Sequence, residues 1–137
     1  MAELNQSAIT LLSTTTISDM SVDTVYTLYT VPSGHSLIIS HVYMRATSTG
    51  ISAFRFTIGR STALTDFSIG ITASTGIVVP TNLAAVDDMI VLRPTIITAA
   101  TPPKQKIYPA GTIIQLDVTT VNVAASTCTL YLFGHLI

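Results

Sequence analysis

The carboxyl-terminal stretch from Tyr108 to Ile137 has the sequence YPAGTIIQLDVTTVNVAASTCTLYLFGHLI, and its pattern is the strongest indication of the fold. It opens with Tyr108-Pro109-Ala110-Gly111, which predicts a tight turn because proline presets φ and glycine tolerates positive φ. Apolar and polar residues then alternate over 112–118, which predicts a half-buried strand. The apolar face of this strand consists of Ile114, Leu116 and Val118, and the polar face of Gln115 and Asp117.

A second strand is predicted from Thr127 to Leu136, after the small residues of 122–126. One face of it consists of Cys128, Leu130, Leu132 and Leu136, and the other of Thr129, Tyr131, Phe133 and His135. Both faces are apolar enough to be covered. Such a strand belongs in the middle of a sheet, packed against a further surface that is either a second sheet or another subunit.

A similar turn, Val31-Pro32-Ser33-Gly34, precedes another long alternating segment from Ser36 to Ala46, so the two halves of the chain are predicted to be built alike. The alternation puts Ile38, Val42 and Met44 on one face, and Leu37, Ile39, His41 and Tyr43 on the other. The turn residues of 47–50 then predict a hairpin between this strand and Ser52 to Gly59. The predicted inward residues of the second hairpin strand are Phe54, Phe56 and Ile58.

The rest of the chain adds shorter elements. Further strands are predicted over Ser7–Ile17, Thr24–Val31 and Met89–Arg93. Residues 60–75 keep only a weak alternation, 81–88 predict one or two helical turns capped by Thr81 or Asn82, and the prolines of 96–106 predict an exposed excursion.

About eight short strands separated by proline or glycine turns predict an all-β protein, and we expect a jelly-roll-like antiparallel β-sandwich. A barrel and an immunoglobulin-like sandwich share the same pattern, although the absence of tryptophan counts against the latter. The chain is expected to form one domain over residues 7–137, preceded by an extended arm over residues 1–6.

The composition indicates burial against other molecules. Charged residues make up 9% of the chain, against about 25% in an average protein, while hydrophobic residues reach 48% and the mean hydropathy is +0.60. The 23 threonines provide part of the polar surface. The remaining apolar excess is typical of a chain that packs against its own copies or a larger assembly.

Several classes of function are disfavoured. The net charge is −1 and the basic residues are scattered, which argues against a nucleic-acid partner. The single cysteine, Cys128, is expected to be a small buried hydrophobe rather than a disulfide partner. Residues 1–6 do not resemble a signal peptide, and no apolar run approaches the ~18 residues of a membrane span, so we expect a protein made in the cytoplasm with no membrane partner.

Chemistry-bearing motifs are also missing. The Pro-x-Gly turns resemble those of cupins, whose metal-binding members carry a His-x-His pair, a glutamate and a later histidine. Here His35 and His41 are six residues apart, about 20 Å along a strand, and Glu3 is the one glutamate. We therefore expect no metal and no cofactor, with His41 in a core or an interface.

An enzyme is not expected either. No serine lies in a Gly-x-Ser-x-Gly turn, no phosphate-binding glycine motif is present, and the adjacent carboxylates Asp87 and Asp88 do not converge as a catalytic pair must. We expect no small-molecule substrate. The aromatic residues suit either sugar stacking or a subunit interface, and the interface is favoured; they are Tyr26, Tyr29, Tyr43, Tyr131 and Phe133.

The threonine-rich, charge-poor chain, its two Pro-x-Gly turns and its ending Leu130-Tyr131-Leu132-Phe133-Gly134-His135-Leu136-Ile137 resemble jelly-roll capsid decoration (cement) proteins of tailed bacteriophages, and related β-rich structural proteins. The resemblance implies a homotrimer on the capsid surface of the virion, synthesised in the host cytoplasm, that binds and stabilises the lattice of the major capsid protein. We predict a subunit interface at Tyr43, Tyr131 and Phe133. We predict capsid contacts at Glu3, Asn5, Gln6, Lys104 and Lys106.

Two alternatives remain open. One is the receptor- or carbohydrate-binding head of a phage tail or fibre protein, with its site on loops such as Arg60 to Gly76. The other is a cupin-like enzyme, which would carry bound metal.

Overall fold

The computed structural model describes residues 8–67, 77–80, 83–94 and 106–137. Those residues contain seven strands, against the eight or so expected. The strands are β1 (Thr10–Ile17), β2 (Val25–Thr30), β3 (Leu37–Ala46), β4 (Arg55–Arg60), β5 (Met89–Leu92), β6 (Ile113–Thr120) and β7 (Cys128–Leu136). The described residues include no helix long and apolar enough to cross a bilayer.

The strands form two antiparallel sheets, a four-stranded sheet in the order β1-β7-β3-β5 and a three-stranded sheet in the order β2-β6-β4. The pairings are nested, since β1 pairs with β7, β2 with β6, and β3 with β5. A chain folded in half and then rolled up gives this order, which is that of a jelly-roll-like sandwich. The predicted fold class is confirmed, and so is the central position of β7.

The core lies between the two sheets, and the alternation of the last two strands predicts it correctly. Ile114 and Leu116 of β6 are fully buried, as are Leu130 and Leu132 of β7 to within 1%. The three inward residues predicted for β4 and its approach, Phe54, Phe56 and Ile58, are buried as well. Both sheets therefore contribute to one continuous core cluster.

A bulge in β3 changes its predicted faces. The register with β7 shifts between Ile39 and His41, so the side-chain alternation restarts there. Leu37 and Ile39 are consequently buried on the same side as Val42 and Met44. The prediction that Leu37 and Ile39 share a face with His41 and Tyr43 is wrong, because period two holds only on either side of the bulge.

The predicted hairpin of β3 with β4 is also wrong. β3 pairs with β7 and β5, whereas β4 pairs with β6 in the other sheet. The connection over 47–54 therefore crosses from one sheet to the other. It is held there by Asn122, whose Oδ1 accepts hydrogen bonds from the amides of Ser52 and Ala53.

The two Pro-x-Gly turns have the same geometry and lie side by side. The amide of His35 donates to the carbonyl of Pro32, and that of Thr112 to Pro109. Gly34 has φ of 79° and Gly111 has φ of 83°, the left-handed value that the third position of such a turn requires. The turns are joined by hydrogen bonds from the amide of Gly111 to the carbonyl of Val31 and from the amide of Val31 to the carbonyl of Thr112.

Residues 83–88 form a turn rather than the helical turns predicted for 81–88. Asp87 has φ of 71°, which is outside the helical region, and its amide donates to the carbonyl of Ala46. The Asp88 carboxylate accepts from the amide of Ala85 at 2.7 Å. These two aspartates therefore shape the approach to β5.

Some predictions lie outside the described residues. They are the arm over residues 1–6 with its contacts Glu3, Asn5 and Gln6, the caps Thr81 and Asn82, Lys104, and the excursion over 96–105.

Candidate docking surface

The outer face of the four-stranded sheet carries a cluster of aromatic side chains. Phe133 of β7 is paired with His41 of β3 on one side and with Leu11 of β1 on the other. Tyr131, two residues earlier, is paired with Tyr43. We call this surface the aromatic face; its members are Leu11, His41, Tyr43, Met89, Val91, Tyr131 and Phe133.

The rings of the aromatic face contact one another in favourable geometries. His41 stacks on Phe133 at 4.7 Å between ring centroids and 15° between planes. Tyr43 meets both rings edge-on, His41 at 4.8 Å and Phe133 at 5.5 Å. Such contacts hold the rings in place, so a partner that covers them orders few additional side chains.

Arg45 extends the cluster along β3. Its guanidinium lies 5.9 Å from the centroid of the Tyr131 ring, within the range of a cation–π contact. Its Nε lies 3.9 Å from a carboxylate oxygen of the exposed Asp87. Arginine in such a stacked position is common in protein interfaces because its planar group is weakly hydrated.

Exposed aliphatic side chains flank the rings. The exposed fractions are 50% for Leu11 on β1, 51% for Met89 and 44% for Val91 on β5. Val91 is paired with Tyr43 and Met89 with Arg45. The apolar surface therefore continues across all four strands of the sheet.

His41 is held neutral in this cluster. Partial burial lowers the pKa of its imidazole, and the positive charge of Arg93 lowers it further. Its Nδ1 lies 2.9 Å from the hydroxyl of Ser40. At pH 7 the ring is therefore an apolar stacking partner of Phe133 rather than a cation.

The outer face of the three-stranded sheet differs in character. Its central strand presents Gln115 and Asp117, and Gln115 Nε2 donates to the hydroxyl of Thr27 at 3.3 Å. The edge of β4 is covered by the chain itself, since Phe56 exchanges two backbone hydrogen bonds with Val78. The segment after β4 also packs closely against it, because a Cβ on Gly59 would lie 2.3 Å from the carbonyl oxygen of Ala63. Among the described strands of this sheet, Val25 on β2 is an exposed aliphatic residue at 44%, whereas the aromatic face combines Leu11, Met89 and Val91 with its rings.

Among the described residues, side chains that could bind a metal or act as a nucleophile are dispersed or buried. Among the residues the structure describes, no three histidine, cysteine or acidic side chains come together as a metal site would require. Cys128 is fully buried, as predicted, and burial raises the pKa of its thiol to about 12. A thiol in this state is a poor nucleophile at neutral pH.

A charged cluster lies near the Pro-x-Gly turns. Asp66 forms ion pairs with Arg60 at 2.5 Å and with the predicted capsid contact Lys106. The side chains of Arg60 and Lys106 are 43% and 45% exposed, against 9% for Asp66. Burial, and then the charge of Asp66, raise the pKa of the neighbouring Tyr108 to about 12.

A shallow open depression of about 310 Å³ adjoins the charged cluster. It is lined by Arg60, Ser61, Thr62, Ala110, Gly111, Thr112 and Ile113. None of these residues is aromatic, so the depression offers no ring for a sugar to stack on.

The structure brings together the three residues predicted for a subunit interface, since Tyr43, Tyr131 and Phe133 all lie on the aromatic face. Sequence reasoning did not find Leu11, Arg45, Met89 and Val91 as their neighbours. The missing information is the strand register, which joins positions more than 100 residues apart in the case of Leu11 and Phe133.

No protein-family model and no curated protein matches the chain. Solved structures do. A chain of the cyanophage Pam1 capsid asymmetric unit is similar over 95% of this chain and 86% of that one, with a TM-score of 0.54 and 10% identity. The fold is one that phage capsids contain.

A second similar chain belongs to the acidic stable capsid of Helicobacter pylori bacteriophage KHP30. The match covers 96% of this chain and 93% of that one, with a TM-score of 0.53 and 12% identity. The similarity to both structures is therefore one of fold, over nearly the full length of each chain.

Proposed function

We propose that this protein is a structural component of a bacteriophage virion, and specifically a homotrimeric decoration protein that binds and stabilises the lattice of the major capsid protein. The aromatic face is the observation that carries the proposal. The likeness in fold to two phage capsid structures supports the same direction, as does the low charge of the chain.

The aromatic face is suited to association between copies. Tyrosine, arginine and phenylalanine are enriched in the central part of protein interfaces, and Phe133 lies between His41 and Leu11 at the middle of this surface. Rings that already stack on each other lose little conformational entropy when a partner covers them. In this proposal three copies bury their aromatic faces against one another.

The role is binding without turnover. The candidate nucleophile Cys128 is buried and protonated, and the imidazole of His41 is stacked on Phe133. In this proposal the shell is contacted by the exposed lysine of the charged cluster, Lys106, together with Lys104 and the polar residues Glu3, Asn5 and Gln6.

The first test is the substitution Phe133→Asp. A carboxylate at the centre of the aromatic face would have to be desolvated when copies associate, so we expect the three-copy species to disappear in sedimentation equilibrium. The matched control is Thr119→Asp, which places the same charge on the exposed end of β6 and is expected to leave the trimer intact. A trimer that survives Phe133→Asp with an unchanged circular dichroism spectrum would contradict the assignment of the interface.

The second test is cosedimentation with phage shells stripped of their accessory proteins. A decoration protein is expected to pellet with the shells in a saturable manner. A protein that ignores shells but adsorbs to host cells would instead support the receptor-binding head of a tail or fibre.

A further inference from the structure

β1 is an edge strand of the sheet that carries the aromatic face. Within the described ranges it pairs on one side with β7 and with no other strand. Among the described residues, its other side therefore presents backbone N–H and C=O groups to which no strand is paired. Residues 8–18, which contain β1, include no charged residue, proline or glycine.

Two of the other three edges, those of β4 and β5, carry features that block strand pairing. The edge of β4 is occupied by Val78, which forms a bridge with Phe56. β5 is four residues long and is followed by Arg93 and Pro94. Charged residues, prolines and short lengths are the usual means by which proteins prevent edge-to-edge association.

β2 is intermediate between the blocked edges and β1. It is six residues long, its register shifts between Thr27 and Tyr29, and Pro32 follows it closely. β1 has its register shift near its start, between Leu11 and Ser13, which leaves Ser13–Ile17 in regular pairing with β7. The longest regular edge is thus the least protected one.

We propose that β1 pairs with β1 of a second copy, antiparallel and about a two-fold axis. The exposed residues Thr14 and Thr16 share the outer face, paired with Tyr131 and Thr129 of β7. An antiparallel β1 pair sets these threonines opposite one another, which brings no like charges together and allows cross-strand contacts of the Thr–Thr type. The edge is therefore complementary to itself, which a two-fold interface requires.

This contact differs from the one made by the aromatic face. The aromatic face joins three copies, whereas the β1 edge joins two copies from different trimers. Its use as a link between trimers rests on the proposed function. A single strand pair is weak in dilute solution, but copies seated on a common shell meet at high effective concentration, where the pair would form.

Cysteine scanning tests the proposal, with the native Cys128 kept because it is fully buried. The variants Ser13→Cys, Thr14→Cys, Thr15→Cys and Thr16→Cys are made in a Phe133→Asp background, so that trimer contacts cannot produce cross-links. In an antiparallel pair the distance between equivalent residues grows by about 6.6 Å for each step away from the axis, while a disulfide needs Cα atoms roughly 4.4–6.8 Å apart. At the high protein concentration at which the dimer is populated, we expect oxidation to cross-link one position, or two adjacent ones, and Thr119→Cys to remain monomeric.

A charge substitution provides the second readout. Thr16→Lys in the Phe133→Asp background puts two lysines close together across the axis, and we expect the dimer seen by sedimentation at high protein concentration to become a monomer with an unchanged unfolding midpoint. Thr119→Lys is the matched control and should leave the dimer intact.

Absence of any cross-link, or equal cross-linking at all four positions, would overturn the β1 pairing. A second result would also overturn it. If no β1 position cross-links and Thr16→Lys nevertheless stops pelleting with shells, the strand that pairs with β1 is supplied by the shell subunit rather than by a second copy. If the cross-link forms but the wild-type protein does not bind shells, the proposed function fails and the β1 pairing stands.

Discussion

Asn122 links two loops at the end of the sandwich opposite the Pro-x-Gly turns. The side chain is 1% exposed, and its Oδ1 accepts from the amides of Ser52 and Ala53 at 3.0 and 3.1 Å. Its Nδ2 donates to the carbonyls of Gly50 and Ala124 and lies 3.2 Å from the hydroxyl of Ser126. All the hydrogen-bonding capacity of the amide is therefore used.

Replacing Asn122 with alanine is expected to destabilise the protein strongly. Two backbone amides lose their acceptor and two carbonyls lose a donor, and four partly buried groups left in this way cost about 2 to 3 kcal/mol in total. Asn122→Asp should be no better, because a carboxylate cannot donate to the carbonyls of Gly50 and Ala124. Urea unfolding measures the effect, with Val123→Ala, at a side chain 87% exposed, as the neutral control. A change below 0.5 kcal/mol, roughly that of an ordinary surface substitution, would contradict this role.

Cys128 is expected to resist alkylation in the folded protein. Its pKa of about 12 leaves almost no thiolate at pH 8, and the side chain is fully buried. Iodoacetamide at pH 8 should modify the protein only after guanidinium is added, as followed by mass spectrometry. Rapid modification under native conditions would show that the strand pair around Cys128 opens readily.

The burial of single residues was predictable where apolar and polar residues alternate without a break. The inward residues of β6 and β7 follow directly from period two, and the burial of Cys128 follows from its place in that pattern. Asn122 gave no such signal. Its partners Ser52 and Ala53 lie about 70 residues away in the chain, and the small residues around it predicted only a break between strands.

At the level of the strands, bulges set which side chains reach the aromatic face. Register shifts occur in β1, β2 and β3. The shift in β3 returns Tyr43 to the outer face while Leu37 and Ile39 remain in the core. Opposite this bulge lies Gly134, where a Cβ would be 2.5 Å from the carbonyl oxygen of Ile38 and 3.3 Å from the Cα of Ile39.

Gly134→Ala is expected to destabilise the protein by about 1 to 3 kcal/mol, because backbone atoms of β3 must move to admit the methyl group. The contact is with backbone rather than with a flexible side chain, so it cannot be relieved by a rotamer change. Thermal unfolding measures the loss. The control is Gly34→Ala, where nothing lies within 4 Å of the added Cβ and the cost is the strain of positive φ, about 1 kcal/mol. A loss at Gly134 of less than about 1 kcal/mol would argue against the close approach.

The elements themselves were largely predictable, but their partners were not. The turn residues of 47–50 suggested a hairpin, whereas the chain crosses there between sheets. Strand pairing in this fold depends on contacts between distant parts of the chain, and local turn chemistry does not specify them. The aromatic face follows from such pairings, which is why the sequence indicated three of its residues without showing that they are neighbours.

Considered as a whole, the molecule has one apolar outer face and one polar one, and the apolar face contains a titratable ring. Because the pKa of His41 is lowered, the folded state favours the neutral ring. The contribution of His41 to stability is complete above its ordinary pKa of 6.5 and is lost as the pH falls through the lowered value. The positive charge of Arg93, which directly follows β5, disfavours protonation of the ring, and Arg45 of β3 is a cation as well.

The proposed trimer is therefore expected to weaken as the pH is lowered from 7.5 to 5, since protonation would place a cation in the interface that the aromatic face is proposed to form. His41→Phe keeps a ring against Phe133 and should remove this pH dependence, whereas His35→Gln, in the turn that precedes β3, should retain it. Sedimentation at the two pH values gives the measurement. A wild-type trimer of equal stability at both pH values would show that His41 is not covered in the assembly.

The nested strand order also determines when this protein can fold. β7, an inner strand of the four-stranded sheet, is the last of the seven strands to be synthesised. It is the partner of β1 and one of the two partners of β3 among the described strands. Until β7 emerges from the ribosome, β1 and β3 lack the strand that lies between them in the sheet. Chains dominated by such distant pairings fold slowly, so the newly made protein passes through an interval in which it requires protection from aggregation.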